Sequence, residues 1–108
     1  MPAVTYSDKQ LKECAETITW YYVKHNDYPQ LFIYENELHF DPNSRQFGRN
    51  AAIYWHGPEC TIIFGREQLD ELIVELEIDT DNLSAYEAII TQTIYNRLVQ
   101  LMNELVHD

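Results

Sequence analysis

The sequence predicts an α+β domain: an N-terminal helix, a four-stranded antiparallel sheet made of two hairpins, then two helices packed on the sheet. Three observations carry that prediction. Apolar residues recur at helical spacing near both ends of the chain. Between them lie short runs that alternate apolar and polar side chains, as half-buried strands do. Turn chemistry separates those runs at Glu35-Asn36, at Asp41-Pro42-Asn43-Ser44 and at Gly57-Pro58-Glu59.

The first helix is expected from Asp8 to about Lys24. Ser7 is a good N-cap, with Gln10 three residues on, and Asp8 suits the positive end of the helix dipole. Leu11, Cys14, Ala15, Ile18 and Tyr22 form its apolar stripe, and Trp20, Tyr21 and Val23 widen it. Asn26, Asp27 and Pro29 should end it, because proline removes a donor and disfavours helical geometry in the residue before it.

Leu31-Phe32-Ile33-Tyr34 reads as the first strand and Glu37-Leu38-His39-Phe40 as the second. Glu35-Asn36 is the two-residue turn between them. The loop after Asp41 runs through Arg45, Phe47, Gly48 and Arg49 to Asn50. Ala51 to His56 is expected as a third strand and Cys60 to Phe64 as a fourth, with Cys60, Ile62 and Phe64 on one face. Sequential strands usually neighbour each other, which favours a meander. Gly65-Arg66 leads into a second helix with the stripe Leu69, Leu72, Ile73 and Leu76. Asp79-Thr80-Asp81-Asn82 breaks the pattern. A third helix capped by Asp81 or Ser84 should run to about Val106, with Ile90, Ile94, Leu98, Leu101 and Leu105 inward and Met102 beside them.

The whole chain, residues 1–108, has the length of one domain. Its 45% apolar content supplies a core and argues against intrinsic disorder. No run approaches the 18 or so apolar residues of a membrane span. The start, Met1 to Asp8, has neither a basic nor an apolar segment, so no signal peptide is expected. Cys14 and Cys60 are too few for a disulfide framework, and cytoplasmic thiols are the expectation.

The net charge of -11 is the strongest compositional signal. From Glu67 to Glu87 there are acidic residues and no basic one: Glu67, Asp70, Glu71, Glu75, Glu77, Asp79, Asp81 and Glu87. Such a field repels nucleic acid and anionic membranes and attracts a basic protein. Glu67, Glu71 and Glu75 are four apart, and like charges at that spacing oppose the helix by roughly 0.2–0.5 kcal/mol per pair. The leading expectation is therefore a non-enzymatic acidic interaction module, of inhibitor, immunity or accessory type. It would bind a basic protein through Glu67, Asp70, Glu71, Glu75 and Glu77, helped by Arg45, Phe47 and Arg49 in the long loop. A version of the same idea has the carboxylates mimic DNA phosphates against a nucleic-acid-binding protein.

A small enzyme or metal site is the other alternative. It would use His39, His56 and Cys60 with the Arg45/Arg49 loop, since a thiol beside an imidazole can be a nucleophile pair and three or four such ligands can hold zinc. The His-x3-Cys spacing is a weak signal, and no Walker, Gly-x-Gly-x2-Gly or His-Glu-x2-His pattern exists, so no cofactor is expected. Aromatic residues fall on both sheet faces, Phe32 and Tyr34 opposite Leu31 and Ile33. That surplus points to an interface and to a homodimer.

Overall fold

A computed structural model of the protein describes residues 4–41, 52 and 56–107. The elements in order are helix α1 (Asp8–His25), strands β1 (Gln30–Tyr34) and β2 (Glu37–Asp41), a 3-10 turn (Gly57–Glu59), strand β3 (Thr61–Phe64), helix α2 (Arg66–Glu75), a 3-10 segment (Thr80–Tyr86) and helix α3 (Glu87–His107).

Local chemistry sets each boundary of α1. The Ser7 hydroxyl accepts the Gln10 backbone N–H at 3.1 Å. At the far end Asn26 takes the left-handed conformation, and its N–H reaches the Tyr22 carbonyl at 3.2 Å. Lys24 and His25 lie in the last turn, where positive charge suits the dipole. The first hairpin also forms as expected. Tyr34 pairs with Glu37, which leaves Glu35 and Asn36 as a two-residue turn, both at positive φ. That is the type I′ geometry, whose twist matches the strands it joins. The Thr5 N–H donates to the Asn36 carbonyl at 2.8 Å and ties the lead-in segment to the turn.

The four-stranded meander is wrong. The described residues form a three-stranded antiparallel sheet in the order β2-β1-β3. The expected third strand, Ala51 to His56, is not a strand at the residues described: Ala52 and His56 are both helical. The Ala52 N–H is taken by the Gln30 side-chain oxygen at 3.1 Å rather than by a strand neighbour. β3 pairs with β1, so the central strand has no free edge left for another. The expected face of β3 also changes. Leu31 pairs with Phe64 but Phe32 pairs with Ile62, so one extra residue, Ile63, sits in β3. This bulge turns both Ile63 and Phe64 to the main core, while Cys60 and Ile62 stay with Phe32 on the other face.

Helix α2 begins at Gly65, whose N–H donates to the Gln68 side chain at 2.8 Å. Only that half of a capping box exists, because glycine has no side chain to return the bond. The helix ends in a Schellman motif. The Ile78 N–H bonds the Ile73 carbonyl at 3.2 Å, that of Glu77 bonds Val74 at 3.1 Å, and Ile73 and Ile78 are both buried. The motif places Glu77 at φ 54°. The last helix starts later than the sequence suggests. Asp79 caps the 3-10 segment by accepting the Asp81 N–H at 3.0 Å, Ser84 falls inside that segment, and regular α-helix begins at Glu87.

The helices lie against one sheet face. Leu11, Ala15, Ile18 and Tyr22 of α1, Leu69, Leu72 and Ile73 of α2, and Ile90, Ile94, Leu98 and Met102 of α3 join Leu31, Leu38, Ile63 and Phe64 in one core. Met102 is fully buried, whereas Leu101 and Leu105 are only half-buried, so the α3 stripe rotates slightly from the expected line.

Replacing Leu98, which is fully buried, by Ala should lower the unfolding free energy by roughly 2–5 kcal/mol in urea denaturation. Glu77→Gly should raise it by about 0.5–1 kcal/mol, because glycine relieves the left-handed strain. A loss of stability in Glu77→Gly would show that its carboxylate outweighs the backbone term.

Candidate protein-interaction surface

Helix α2 is amphipathic, and its buried stripe fixes which residues face outward. With Leu69, Leu72 and Ile73 inward, Glu67, Asp70, Glu71, Val74 and Glu75 are exposed, and Glu77 follows them at the C-terminal cap. Val74 is the unexpected member, since 76% of its surface is accessible. Asp70 and Glu71 stand four and three residues before it on the same helical face, so carboxylates flank an apolar spot, and Glu77 follows just past the helix end, its N–H on the Val74 carbonyl.

The acidic run is partly balanced inside the fold. Asp70 pairs with Arg66 at 3.6 Å along α2. Arg66 also lies over the Tyr28 ring, 4.5 Å from its centroid. Glu75 accepts a hydrogen bond from Arg97 of α3. Glu87 pairs with Lys24 of α1 at 3.0 Å. The like-charge spacing read in α2 is thus relieved by cations from outside the run. Glu71 and Glu77 make no ion pair among the described residues. Exposed pairs of this kind contribute about 0–1 kcal/mol each, so their main effect is on the pattern of the field.

A shallow groove of about 450 Å3 runs between α2 and α3. Phe64, Gln68 and Glu71 line one side, and Arg97, Gln100, Leu101 and Glu104 line the other. Of the α3 wall, the apolar stripe marks Leu101 alone, and Arg97, Gln100 and Glu104 carry no apolar signal. Arg97, Gln100, Leu101 and Glu104 nonetheless recur at i, i+3, i+4 and i+7, which places them on one helical face. Arg45, Phe47 and Arg49, read from sequence as loop contacts, lie outside the described residues.

The second sheet face gathers the histidines. The His39 and His56 ring centroids are 6.3 Å apart, with Phe32 stacked on His39 at 5.4 Å and Tyr34 beside His56 at 4.6 Å. The residues meet as the enzyme reading requires, although His56 arrives from a helical segment and not from a paired strand. Cys60 does not complete a reactive pair. Its thiol donates to the Gly57 carbonyl at 3.4 Å, and burial raises its pKa. A thiol kept protonated is a poor nucleophile and a poor ligand. No group of three or more His, Cys, Asp or Glu suited to a metal occurs among the described residues. Phe32, Ala52, Cys60, Tyr34 and Ile62 pack together there, so the chain's own residues occupy part of the face that had suggested a dimer.

No family model, curated protein or solved structure matches the chain. No helix among the described residues is long and apolar enough to cross a membrane.

Cys14, half-buried on α1, has its thiol pushed up to about 11 by burial and then by Glu13. A folded pKa above the unfolded one means that the folded state holds its proton longer. Stability from this group is complete below pH 9 and is lost as pH rises from 9 toward 11. Tyr22 and Tyr28 shift in the same direction, chiefly by burial, and extend the loss upward from pH 10. The urea midpoint should therefore fall above pH 9, and Cys14→Ala should flatten the first part of that fall. A midpoint independent of pH between 9 and 11 would contradict this account.

Proposed function

We propose that this protein is a non-enzymatic acidic interaction module that binds a basic protein surface through the outer face of α2. The contact residues in this reading are Glu67, Asp70, Glu71, Glu75 and Glu77, with Arg45, Phe47 and Arg49 as a second contact. The observation that carries it is Val74: an apolar side chain, 76% exposed, flanked by carboxylates. An apolar centre with a charged rim is the usual anatomy of an interface, and the charges steer a basic partner toward it. The net charge of -11 extends that steering over the whole surface. Inhibitor, immunity and accessory roles all use this physics.

Two features weigh against the alternatives. A DNA mimic needs carboxylates displayed free, and Asp70 and Glu75 are held by Arg66 and Arg97. An enzyme built on Cys60 needs a thiolate, and burial favours the thiol. A cytoplasmic location fits the free thiols of Cys14 and Cys60. Self-association into a homodimer keeps one support, the exposure of Trp20 (49%) and Ile89 (48%).

Affinity capture at low and high salt tests the reading. Glu71→Gln with Glu77→Gln neutralises two carboxylates that make no ion pair among the described residues, so the fold should be unaffected. One stoichiometric basic partner should be retained at low salt, released at high salt and weakened in the double variant. Capture that is indifferent to both salt and the substitutions would sink the proposal. Sedimentation of the free protein tests the dimer: a monomer at high concentration removes it.

A further inference from the structure

We propose that the groove between α2 and α3 seats a lysine or arginine side chain projected from a basic partner segment. This inference rests on the interaction reading above and names the chemistry that one part of that surface takes.

The groove differs from the rest of the acidic surface because it is concave and its walls belong to two helices. Glu71 rises from α2 and Glu104 from α3, so their carboxylates border the same cleft. Both are exposed, and neither makes an ion pair among the described residues. The cation in the lining, Arg97, is already engaged by Glu75. The Gln68 side-chain oxygen is committed to the Gly65 N–H at 2.8 Å, and the Gln100 amide leans on Glu104 at 3.5 Å. Half-buried Leu101 supplies apolar surface in the same lining, and Phe64, itself buried in the core, closes the floor.

That combination selects its occupant. An anion would meet two carboxylates. A neutral apolar group would desolvate them without compensation. A long basic side chain satisfies both parts, with methylenes on Leu101 and the charged head at Glu71 and Glu104. The volume, about 450 Å3, lies within the range of sites that take ligand-sized groups, roughly 300–1,000 Å3. The groove is open, so a side chain of a docked segment fits it better than a free small molecule.

The test uses the full chain and a fluorescein-labelled hexa-arginine peptide, with binding read by anisotropy at about 0.15 M salt, where exposed charges beyond about 8 Å are screened. Glu71→Gln with Glu104→Gln should weaken binding by about tenfold, the effect of losing charge-assisted hydrogen bonds. The control, Glu13→Gln with Glu16→Gln on the exposed face of α1, removes the same charge and should change affinity by less than about twofold. Equal losses in both variants would overturn the groove while leaving the acidic-module reading in place. Absence of peptide binding to the unmodified protein, even at low salt, would overturn that reading itself. If the groove pair loses its helical circular dichroism, Glu104→Gln alone serves, and it should still exceed the control.

Discussion

The seam between the first and last helices is the constraint on which the rest depends. Ala15 and Ile18 of α1 and Ile90, Ile94 and Leu98 of α3 are all fully buried. The small Ala15 side chain lets the helices approach closely. Polar contacts run along the margins of the seam: Thr91 donates to the Thr19 hydroxyl at 2.9 Å, Tyr95 donates to Asp8, and Lys24 pairs with Glu87. The Tyr95 hydrogen bond, its first cause, holds the Asp8 carboxyl below its ordinary pKa. Two helices from opposite ends of the chain therefore close the fold, and everything between them hangs from that closure. Each fully buried Leu or Ile is worth roughly 1.5–3 kcal/mol, which is what offsets the entropy of joining distant segments.

Within that frame the sheet is small, and on its second face one polar side chain works beside the Phe32–Ala52–Cys60 cluster. Gln30 is almost fully buried, and its oxygen holds the Ala52 amide. A buried amide acceptor without a donor is costly, so the Gln30 side chain and the Ala52 N–H satisfy each other. Residues 31 to 40 were legible from sequence because the hairpin is local: alternation and a two-residue turn decide it. The third strand was misread for the opposite reason. The run that holds Ala52 and His56 is rich in strand-favouring residues, but strand preference expresses packing on neighbours more than backbone preference, and both described residues are helical. β3 had already taken the open edge of β1. The bulge at Ile63 was invisible in the same way, since register depends on the partner strand.

The acidic run shows a similar split between local and distant information. Its charge is plain in the sequence, and Arg66 beside it can be paired with Asp70 by counting four residues. Arg97, 22 residues beyond Glu75, cannot. The run therefore looks more uniform in sequence than it is in space. Glu75 and Glu87 join helices, Asp70 pairs within α2, and Asp79 caps a 3-10 segment. What is left over is Glu71, Glu77 and Asp81, and of these Glu71 lines the groove, where Glu104 of α3 joins it.

Backbone geometry sharpens what that remainder means. Glutamate occupies left-handed positions at Glu35 and Glu77, where Asn or Gly would be more comfortable. Local stability is thus given up twice for a carboxylate, and departures from local rules tend to mark sites held by something other than folding. Glu35 belongs to the β1–β2 turn, far along the chain from α2, so acidity alone cannot single out the α2 face. What singles it out is the company its charges keep. Around Val74 and beside Leu101 in the groove, carboxylates with no ion pair among the described residues border accessible apolar surface, and at Glu35 the contact that fixes the turn is a backbone bond from Thr5 to the neighbouring Asn36. Charge beside apolar surface is the feature that supports the proposed basic-partner reading over mere solvation.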